Sequence, residues 1–306
     1  MRRLALALFL LWPSLASAAV VNVEFKFTPF TGDPAKDDHV NVVAGAAHVF
    51  LNDVPLADQE VRKDSVPVLF DDHEVAPAVW VPVRSAGPGV RKGRNTLRIE
   101  FEPSNAAAPY RAQLRWASVM DAVKEEGGPG HSTSINQGDE GVEDKQATGK
   151  VVFGREFIAD FATDIPWHHF PAVTAVSDED RKRLAALLAE RAAWFKPDFT
   201  AFYKGLAAKD GIDVAAVRKM KCADAAYKAG VRVAAPAADQ LELVTTGHPE
   251  VVVKRTGGDL FPFDPKILER IKGDDTQMCV GVTLAALYPP RLVVVRMSNG
   301  DWEAVY

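Results

Sequence analysis

The run Asp164–Pro171, DIPWHHFP, contains the side chains of this chain that are best suited to acid–base chemistry or ligand binding. In a hydrolase, His168 or His169 would be the general base, and Asp164 would orient its imidazole. In a binding protein, Trp167 and His169 would line a cleft, one offering an aromatic face and the other a hydrogen-bonding ring. The residue types allow both chemistries and do not decide between them.

A packed corner is the structural alternative for the same run, and the sequence favours it. Trp167 with Phe170 would fill the join between two domains, where large rings are commonly buried. Pro166 disfavours helix at the residue before it, so we expect an extended or turning segment. Adjacent side chains of an extended segment point to opposite faces, so His168 and His169 are not expected to share a metal ion. No metal site and no cofactor are predicted.

The run FDDHEV is a second place where a carboxylate and an imidazole recur. On a strand, Asp71 and His73 would share one face and could coordinate a metal or shuttle a proton. A solvated loop is the interpretation that so polar a run favours. The chain also lacks the local motifs of zinc proteases, serine hydrolases, phosphate-binding loops and dinucleotide-binding folds. These absences favour a binding protein over an enzyme.

Three tryptophans fall within apolar strand patterns, namely Trp80, Trp116 and Trp302. Core packing is the expected role of each, because alternating apolar residues mark the buried face of a strand. An exposed tryptophan on a β-sandwich would instead offer a flat ring on which a sugar could stack.

The first residues carry the pattern of a cleavable signal peptide. Arg2 and Arg3 precede the apolar stretch 4–12, and small residues at 16–18 form a cleavage site. The apolar stretch is too short to span a bilayer, which requires about 20 residues. No later stretch is apolar enough to span either. We therefore predict a signal peptide over residues 1–18 and an exported chain, periplasmic or secreted, without a transmembrane segment.

Charge and cysteine content narrow the function classes further. The net charge of the 306-residue chain is −5, and cleavage would remove two arginines and no acidic residue. An acidic chain is a poor ligand for nucleic acid, so no nucleic-acid partner is predicted. The two cysteines, Cys222 and Cys279, are expected to form one disulfide in an oxidising compartment. One catalytic thiol beside one bystander is the alternative.

Residues 19–124 are predicted to form a β-sandwich. VNVEFKFT and TLRIEFE alternate apolar and polar residues, and the apolar runs between them are punctuated by prolines and turn residues. The order HVFLNDVPL, VWVPV and VRKGRNTLRIEFE resembles the galactose-binding-like jelly roll found in carbohydrate-active proteins. Asn52-Asp53 stands at its first turn, and Gly93, Asn95, Leu97 and Ile99 fit its second pattern. The resemblance implies a sandwich that often serves as a structural accessory, and it does not by itself imply sugar binding.

A change in composition separates this domain from the rest. Residues 125–150 are rich in glycine and acidic residues and lack aromatics, so we expect a mobile loop. Its acidic cluster could hold Ca²⁺ but lacks the regular spacing of an EF-hand loop. Residues 151–171 are predicted to be a connecting strand and the join. Residues 172–306 are predicted to form an α+β domain, with helices after Ser177, one of them near residues 214–229. An antiparallel sheet that includes CVGVTLAAL as a strand follows these helices.

The end of the chain, RLVVVRMSNGDWEAVY, is similar to the last hairpin of NTF2-like domains. Gly300, Trp302 and Val305 carry this similarity. It implies a concave apolar pocket, which some members of that family use for catalysis and others for binding.

Taken together, the sequence predicts an exported non-catalytic binding or accessory protein of the cell envelope. Its partner would be a small ligand, a glycan or an envelope protein. The alternative is an envelope hydrolase that acts on a glycan or ester with a histidine general base.

Overall fold

The fold is that of a computed structural model, which describes residues 20–69, 74–120, 137–209 and 211–305. The predicted signal peptide, Asp71 and His73 lie outside these segments. The chain divides into two compact units: Met1–Ala47, Gln59–Asn95 and Ile99–Ala162 form the first, and His48–Asp58, Thr96–Arg98 and Thr163–Tyr306 form the second. Within the described segments, no helix is both long and apolar enough to cross a membrane.

The N-terminal part forms two antiparallel sheets, which confirms the predicted sandwich. Its strands are β1 (Val20–Thr31), β2 (His39–Val42), β3 (Gly45–Leu51), β4 (Val54–Val61), β5 (Ser65–Pro67), β6 (Val79–Pro82), β7 (Gly93–Pro103), β8 (Tyr110–Met120), β9 (Gln137–Ala147) and β10 (Val151–Ala159). One sheet has the order β5-β2-β1-β8-β9, with β6 also paired to β1, and the other has the order β10-β7-β3-β4. A 3-10 helix follows β6 over Val83–Gly89.

Phenylalanines from the two sheets form the core of the sandwich. Phe25 and Phe27 lie on the buried face of β1, as the alternation of that strand predicts. Phe25 packs edge-on against Phe157 of β10 with ring centres 5.4 Å apart. Phe27 lies 5.7 Å from both Phe101 of β7 and Phe153 of β10. These contacts join the sheets face to face.

The residues that carry the jelly-roll resemblance have local structural roles. Asn52 and Asp53 form the two-residue turn between β3 and β4, and both have positive φ angles of 51° and 61°. Primed hairpin turns require such angles, which asparagine and aspartate tolerate better than most residues. The side chain of Asn95 closes the turn before β7, where it accepts from Arg91 N at 2.8 Å and donates to Gly93 O at 2.9 Å.

The segment predicted as a loop over residues 125–150 contains a strand. Gln137–Ala147 form β9, which pairs antiparallel along β8, so the loop prediction is wrong for these residues. Their polar side chains are satisfied on the edge of a sheet: Asp144 accepts from Arg111 Nε at 3.1 Å and from Gln113 Nε2 at 3.3 Å. Residues 125–136 of the predicted loop lie outside the described segments.

The C-terminal part is an α+β arrangement, as predicted. Its elements are α1 (Asp178–Ala192), α2 (Thr200–Ala207), α3 (Val214–Lys219), α4 (Cys222–Ala229), β11 (Leu241–Thr245), β12 (Glu250–Arg255), α5 (Asp274–Leu287), β13 (Leu292–Arg296) and β14 (Trp302–Ala304). The sheet order is β11-β12-β13-β14, with antiparallel pairing throughout. The last and longest segment of the second unit begins at Thr163, whereas the sequence predicts a domain start at residue 172.

Two details of the helices differ from prediction. CVGVTLAAL lies in α5 rather than in a strand, because Val280, Thr283, Leu284 and Leu287 are buried at the spacing of one helical face. The single helix expected near residues 214–229 is broken into α3 and α4 at Lys221, whose φ angle is 54°. By contrast, α1 begins at Ser177 as expected, with a reciprocal capping box between Ser177 and Asp180.

The predicted disulfide is present. Cys222 at the start of α4 bonds to Cys279 in α5, with the two Cα atoms 6.0 Å apart. It closes a loop of 57 positions and ties the helical layer to the segment that leads into β13.

Candidate functional site

The run DIPWHHFP turns in a short 3-10 helix over Pro166–His169, and Ile165 before it is extended, which matches the turning alternative of the prediction. His168 is buried, and its ring lies edge-on to Trp167 with centres 4.3 Å apart. His169, by contrast, is exposed. The two imidazoles therefore face different environments, as they would in an extended segment, although the backbone differs.

His169 and Asp164 are brought together, with Nε2 of the imidazole 2.7 Å from Oδ1 of the carboxylate. This is the spacing of a base and the group that orients it. The pair is open to solvent, however, with 69% of the His169 side chain and 58% of the Asp164 side chain exposed. Over the described segments, no group of three histidine, cysteine or acidic side chains is placed to hold a metal ion.

The sandwich contains a more enclosed candidate site, a cleft of about 450 Å³ where its two sheets separate at one end. We call it the sandwich cleft. Strands β1, β7, β8, β9 and β10 all contribute to its lining, which consists of Val20, Val23, Phe25, Arg94, Trp116, Ser118, Asp139, Arg155, Glu156, Phe157, Ile158 and Asp160. Neither Trp167 nor His169 belongs to it.

The apolar base of the sandwich cleft is the end of the sandwich core. Val23 and Phe25 are almost fully buried, and Phe25 is held edge-on by Phe157. Alternation along β1 places both side chains between the sheets. A close-packed apolar floor of this kind gives a cleft a fixed shape.

Trp116 and Arg155 form the wall of the cleft. The guanidinium carbon of Arg155 lies 3.9 Å above the centre of the Trp116 ring, a close cation–π contact. Gly141 on β9 lies directly against the same indole, because a Cβ placed there would lie 2.3 Å from Trp116 Cζ2. Contacts with an arginine and a glycine thus fix the orientation of the indole.

The indole nitrogen of Trp116 is buried and has no hydrogen-bond acceptor among the described residues. A buried N–H without a partner costs about 1–3 kcal/mol. Such a donor is a point at which an added acceptor would stabilise the protein.

Charged groups surround the mouth of the cleft in pairs of opposite sign. Arg155 lies 3.6 Å from Asp139, and Arg94 lies 3.0 Å from Glu156. Asp160 has no cationic partner within the described segments. The arginines are therefore neutralised locally, and the residual charge of the mouth is negative.

The tryptophans illustrate what the sequence could and could not locate. Trp302 is buried, as expected. Trp80 is not in the core: it is 56% exposed on the outer face of the first sheet, where its Nε1 donates to Glu24 at 3.3 Å. Trp116 is half-buried, at the edge of the core. Strand alternation identified its inward orientation, but no local signal showed that the sheets separate there.

A second histidine–aspartate pair is formed by residues that are far apart in the sequence. In the second unit, His48 Nδ1 lies 2.6 Å from Asp58 Oδ1, and Arg291 donates to the other oxygen of the same carboxylate. Burial raises the pKa of Asp58, but the hydrogen bonds from His48 and Arg291 outweigh it, so the net pKa is lowered. The residues lie up to 243 positions apart along the chain, and no motif links them.

Neither protein-family models, nor curated proteins, nor solved structures give a match to this chain.

Proposed function

We propose that the protein is an exported, non-catalytic binding protein of the cell envelope, and that its sandwich cleft holds a neutral glycan. The observation that carries the proposal is the Trp116–Arg155 stack beside a 450 Å³ cleft with a polar, net acidic mouth. Export rests on the signal-peptide pattern of residues 1–18, and it is consistent with the disulfide.

The stacked wall suits a sugar ring. Arg155 covers one face of the indole, so the part of the ring that lines the cleft presents an apolar surface to the C–H groups of a sugar, while the adjacent guanidinium supplies hydrogen-bond donors. The floor of Val23 and Phe25 excludes water from the opposite side. Apolar lining with a few convergent polar groups is the usual composition of a small-molecule site.

The charges at the mouth narrow the ligand class. Each arginine is already paired with a carboxylate, so little positive field remains to attract an anion. Carboxylate oxygens are acceptors that suit the hydroxyl groups of a neutral saccharide. An anionic ligand would meet net repulsion from the unpaired Asp160. The resemblance of the sandwich to galactose-binding-like domains belongs to the same proposal and agrees with this ligand class.

Titration calorimetry of the full exported chain against neutral mono- and disaccharides tests the proposal. Trp116→Ala should weaken binding by roughly tenfold or more, since one stacked ring contributes on the order of 1–2 kcal/mol. Trp80→Ala is the matched control, because it removes an exposed indole outside the cleft and should leave the affinity unchanged. If both variants lose the same saccharide affinity, or if neither the wild type nor Trp80→Ala binds a saccharide, the cleft is not a glycan site.

A second candidate function, an envelope hydrolase, is favoured by the hydrogen bond between His169 and Asp164. His169 would be the general base and Asp164 its orienting group; His168 is too enclosed to share the work. Turnover of ester and glycoside substrates should then fall by orders of magnitude in His169→Ala, as loss of a general base requires. His39→Ala, which removes another exposed imidazole, should retain full turnover. If the wild-type protein turns over none of these substrates, the hydrolase function is rejected and the binding function remains.

A further inference from the structure

Arg191, near the end of α1, is a buried arginine with no carboxylate partner in the part of the chain that the structure describes. It is 7% exposed. Its Nε donates to the carbonyl oxygen of Leu287 at 2.6 Å. Burial lowers the pKa of Arg191, but a guanidinium remains protonated at physiological pH. A cation in this environment is costly unless it is compensated.

The end of α5 supplies part of that compensation. Leu287 is the last residue of α5, and the carbonyl groups at a helix C-terminus attract cations. This contact uses one of the five N–H groups of the guanidinium. The two Nη groups donate to no described residue. Capping α5 therefore accounts for the position of Arg191 and leaves most of its hydrogen-bonding capacity unused.

Arg191 is one of the residues that line a pocket of about 220 Å³, which we call the arginine pocket. The lining comes from α1, from Trp194 just after α1, and from β14. It consists of Leu187, Glu190, Arg191, Trp194, Trp302, Glu303 and Ala304. The guanidinium carbon lies 5.2 Å from the centre of the Trp194 ring. Trp194 is in turn held against Gly205 of α2, where a Cβ would lie 2.8 Å from the indole.

The pocket carries charges of both signs. A guanidinium with two free Nη groups presents the paired donors that match a carboxylate. The charge of Arg191 also acts on Lys209, whose pKa is lowered first by burial and then by this neighbour. Glu190 and Glu303 lie on the pocket lining without pairing with Arg191, and they can accept from an ammonium group.

We infer that the arginine pocket binds a small zwitterion of the α-amino acid class that has an apolar or aromatic side chain. Arg191 would hold the carboxylate, Glu303 or Glu190 would accept from the ammonium group, and the indole rings of Trp194 and Trp302 would contact the side chain. The site lies wholly in the second unit and does not depend on the sandwich cleft.

Calorimetry of the full chain with three matched probes tests each part of this assignment. L-Phenylalanine carries the carboxylate, the ammonium group and a ring; 3-phenylpropionate lacks the ammonium group, and phenethylamine lacks the carboxylate. We expect phenylalanine to bind, 3-phenylpropionate to bind more weakly and phenethylamine not to bind. Absence of phenylalanine binding, or equal binding of phenethylamine, would overturn the inference.

Three variants of pocket residues and one control locate the site. Arg191→Lys keeps the charge but loses the paired donors, and should weaken phenylalanine binding by roughly tenfold or more. Arg183→Lys is the matched control, since Arg183 lies on the same helix outside the pocket. Glu303→Gln preserves Arg191 and its contact with α5, and should weaken phenylalanine while leaving 3-phenylpropionate unchanged. If Arg191→Lys binds phenylalanine with wild-type affinity, the inference is wrong. If Arg191→Lys does not fold, the glutamate variants decide: unchanged phenylalanine affinity in both Glu303→Gln and Glu190→Gln would overturn the inference.

Discussion

Asp180 and Trp302, separated by 122 positions in the chain, are joined by a hydrogen bond of 3.1 Å from the indole Nε1 to Oδ1 of the carboxylate. The other oxygen, Oδ2, lies 2.6 Å from Arg296 Nη2 and accepts from the hydroxyl of Ser177 at 2.6 Å. One carboxylate therefore caps α1 and holds both β13 and β14 against its first turn. The group is well placed to control the stability of the C-terminal unit.

Asp180→Asn should destabilise the protein by about 1–3 kcal/mol at neutral pH. The substitution removes the charge that pairs with Arg296 and places an amide donor where one oxygen accepted hydrogen bonds. Urea unfolding followed by circular dichroism measures the change in free energy. Asp178→Asn is the control, because Asp178 lies in the same first turn but is exposed. If the two variants lose similar free energies of unfolding, Asp180 stabilises the protein only through its charge at the helix N-terminus.

Acid should weaken the wild type more than it weakens Asp180→Asn. Burial raises the pKa of Asp180, but hydrogen bonds from Ser177 and Trp302 and the charge of Arg296 outweigh it, so the folded pKa is lowered. A group with a lowered folded pKa contributes stability above its unfolded pKa, about 3.9, and loses it as the pH falls through the folded value. The free-energy difference between wild type and variant should therefore shrink below about pH 4. A difference that stays constant with pH would contradict this assignment.

Reduction of Cys222–Cys279 should lower the free energy of unfolding by about 2–5 kcal/mol. The bond closes a loop of 57 positions, so its loss increases the conformational freedom of the unfolded chain. Thermal unfolding with and without a reductant measures the effect. In the variant with both cysteines changed to alanine, the reductant should have no effect. A reductant-dependent shift that persists in this variant would point to a cause other than the disulfide.

The parts of the fold that follow from local physics were predictable from the sequence. Alternation placed Phe25 and Phe27 in the core, and the capping box at Ser177 located the start of α1. The two cysteines could form only one intramolecular pair. The first two inferences depend only on residues that are neighbours in the chain. The third follows because two cysteines allow a single pairing.

The errors arose where a local preference competes with long-range packing. CVGVTLAAL is rich in residues that favour strands, yet its buried positions, Val280, Thr283, Leu284 and Leu287, follow a helical period, while Met278 and Val282 are exposed. β9 is polar enough to suggest a loop, but pairing with β8 satisfies its backbone and its charges. Composition alone does not reveal a partner strand.

The candidate sites were less predictable than the fold. Trp116, Asp139 and Arg155 come from three strands, and their proximity depends on where the two sheets separate. Arg191 is one arginine among several on α1, and only its burial without a carboxylate distinguishes it. His169 and Asp164 were found because they are close in sequence. Their closeness in the sequence explains why this pair could be predicted. It is no evidence that the pair has a function that the sites assembled from distant segments lack.

Gly141→Ala tests whether the orientation of Trp116 depends on the glycine opposite it. A methyl group at residue 141 would lie 2.3 Å from the indole, so the ring must move and its 3.9 Å contact with Arg155 should be lost. We expect a destabilisation of about 1–3 kcal/mol, typical of overpacking, together with a changed near-ultraviolet circular dichroism spectrum. Gly154→Ala is the matched control on β10, because a Cβ there would meet no atom within 4 Å. If the stacked indole forms the wall of a glycan site, Gly141→Ala should also lose saccharide binding while Gly154→Ala keeps it. A folded Gly141→Ala protein with wild-type affinity would show that the cleft binds its ligand without this ring.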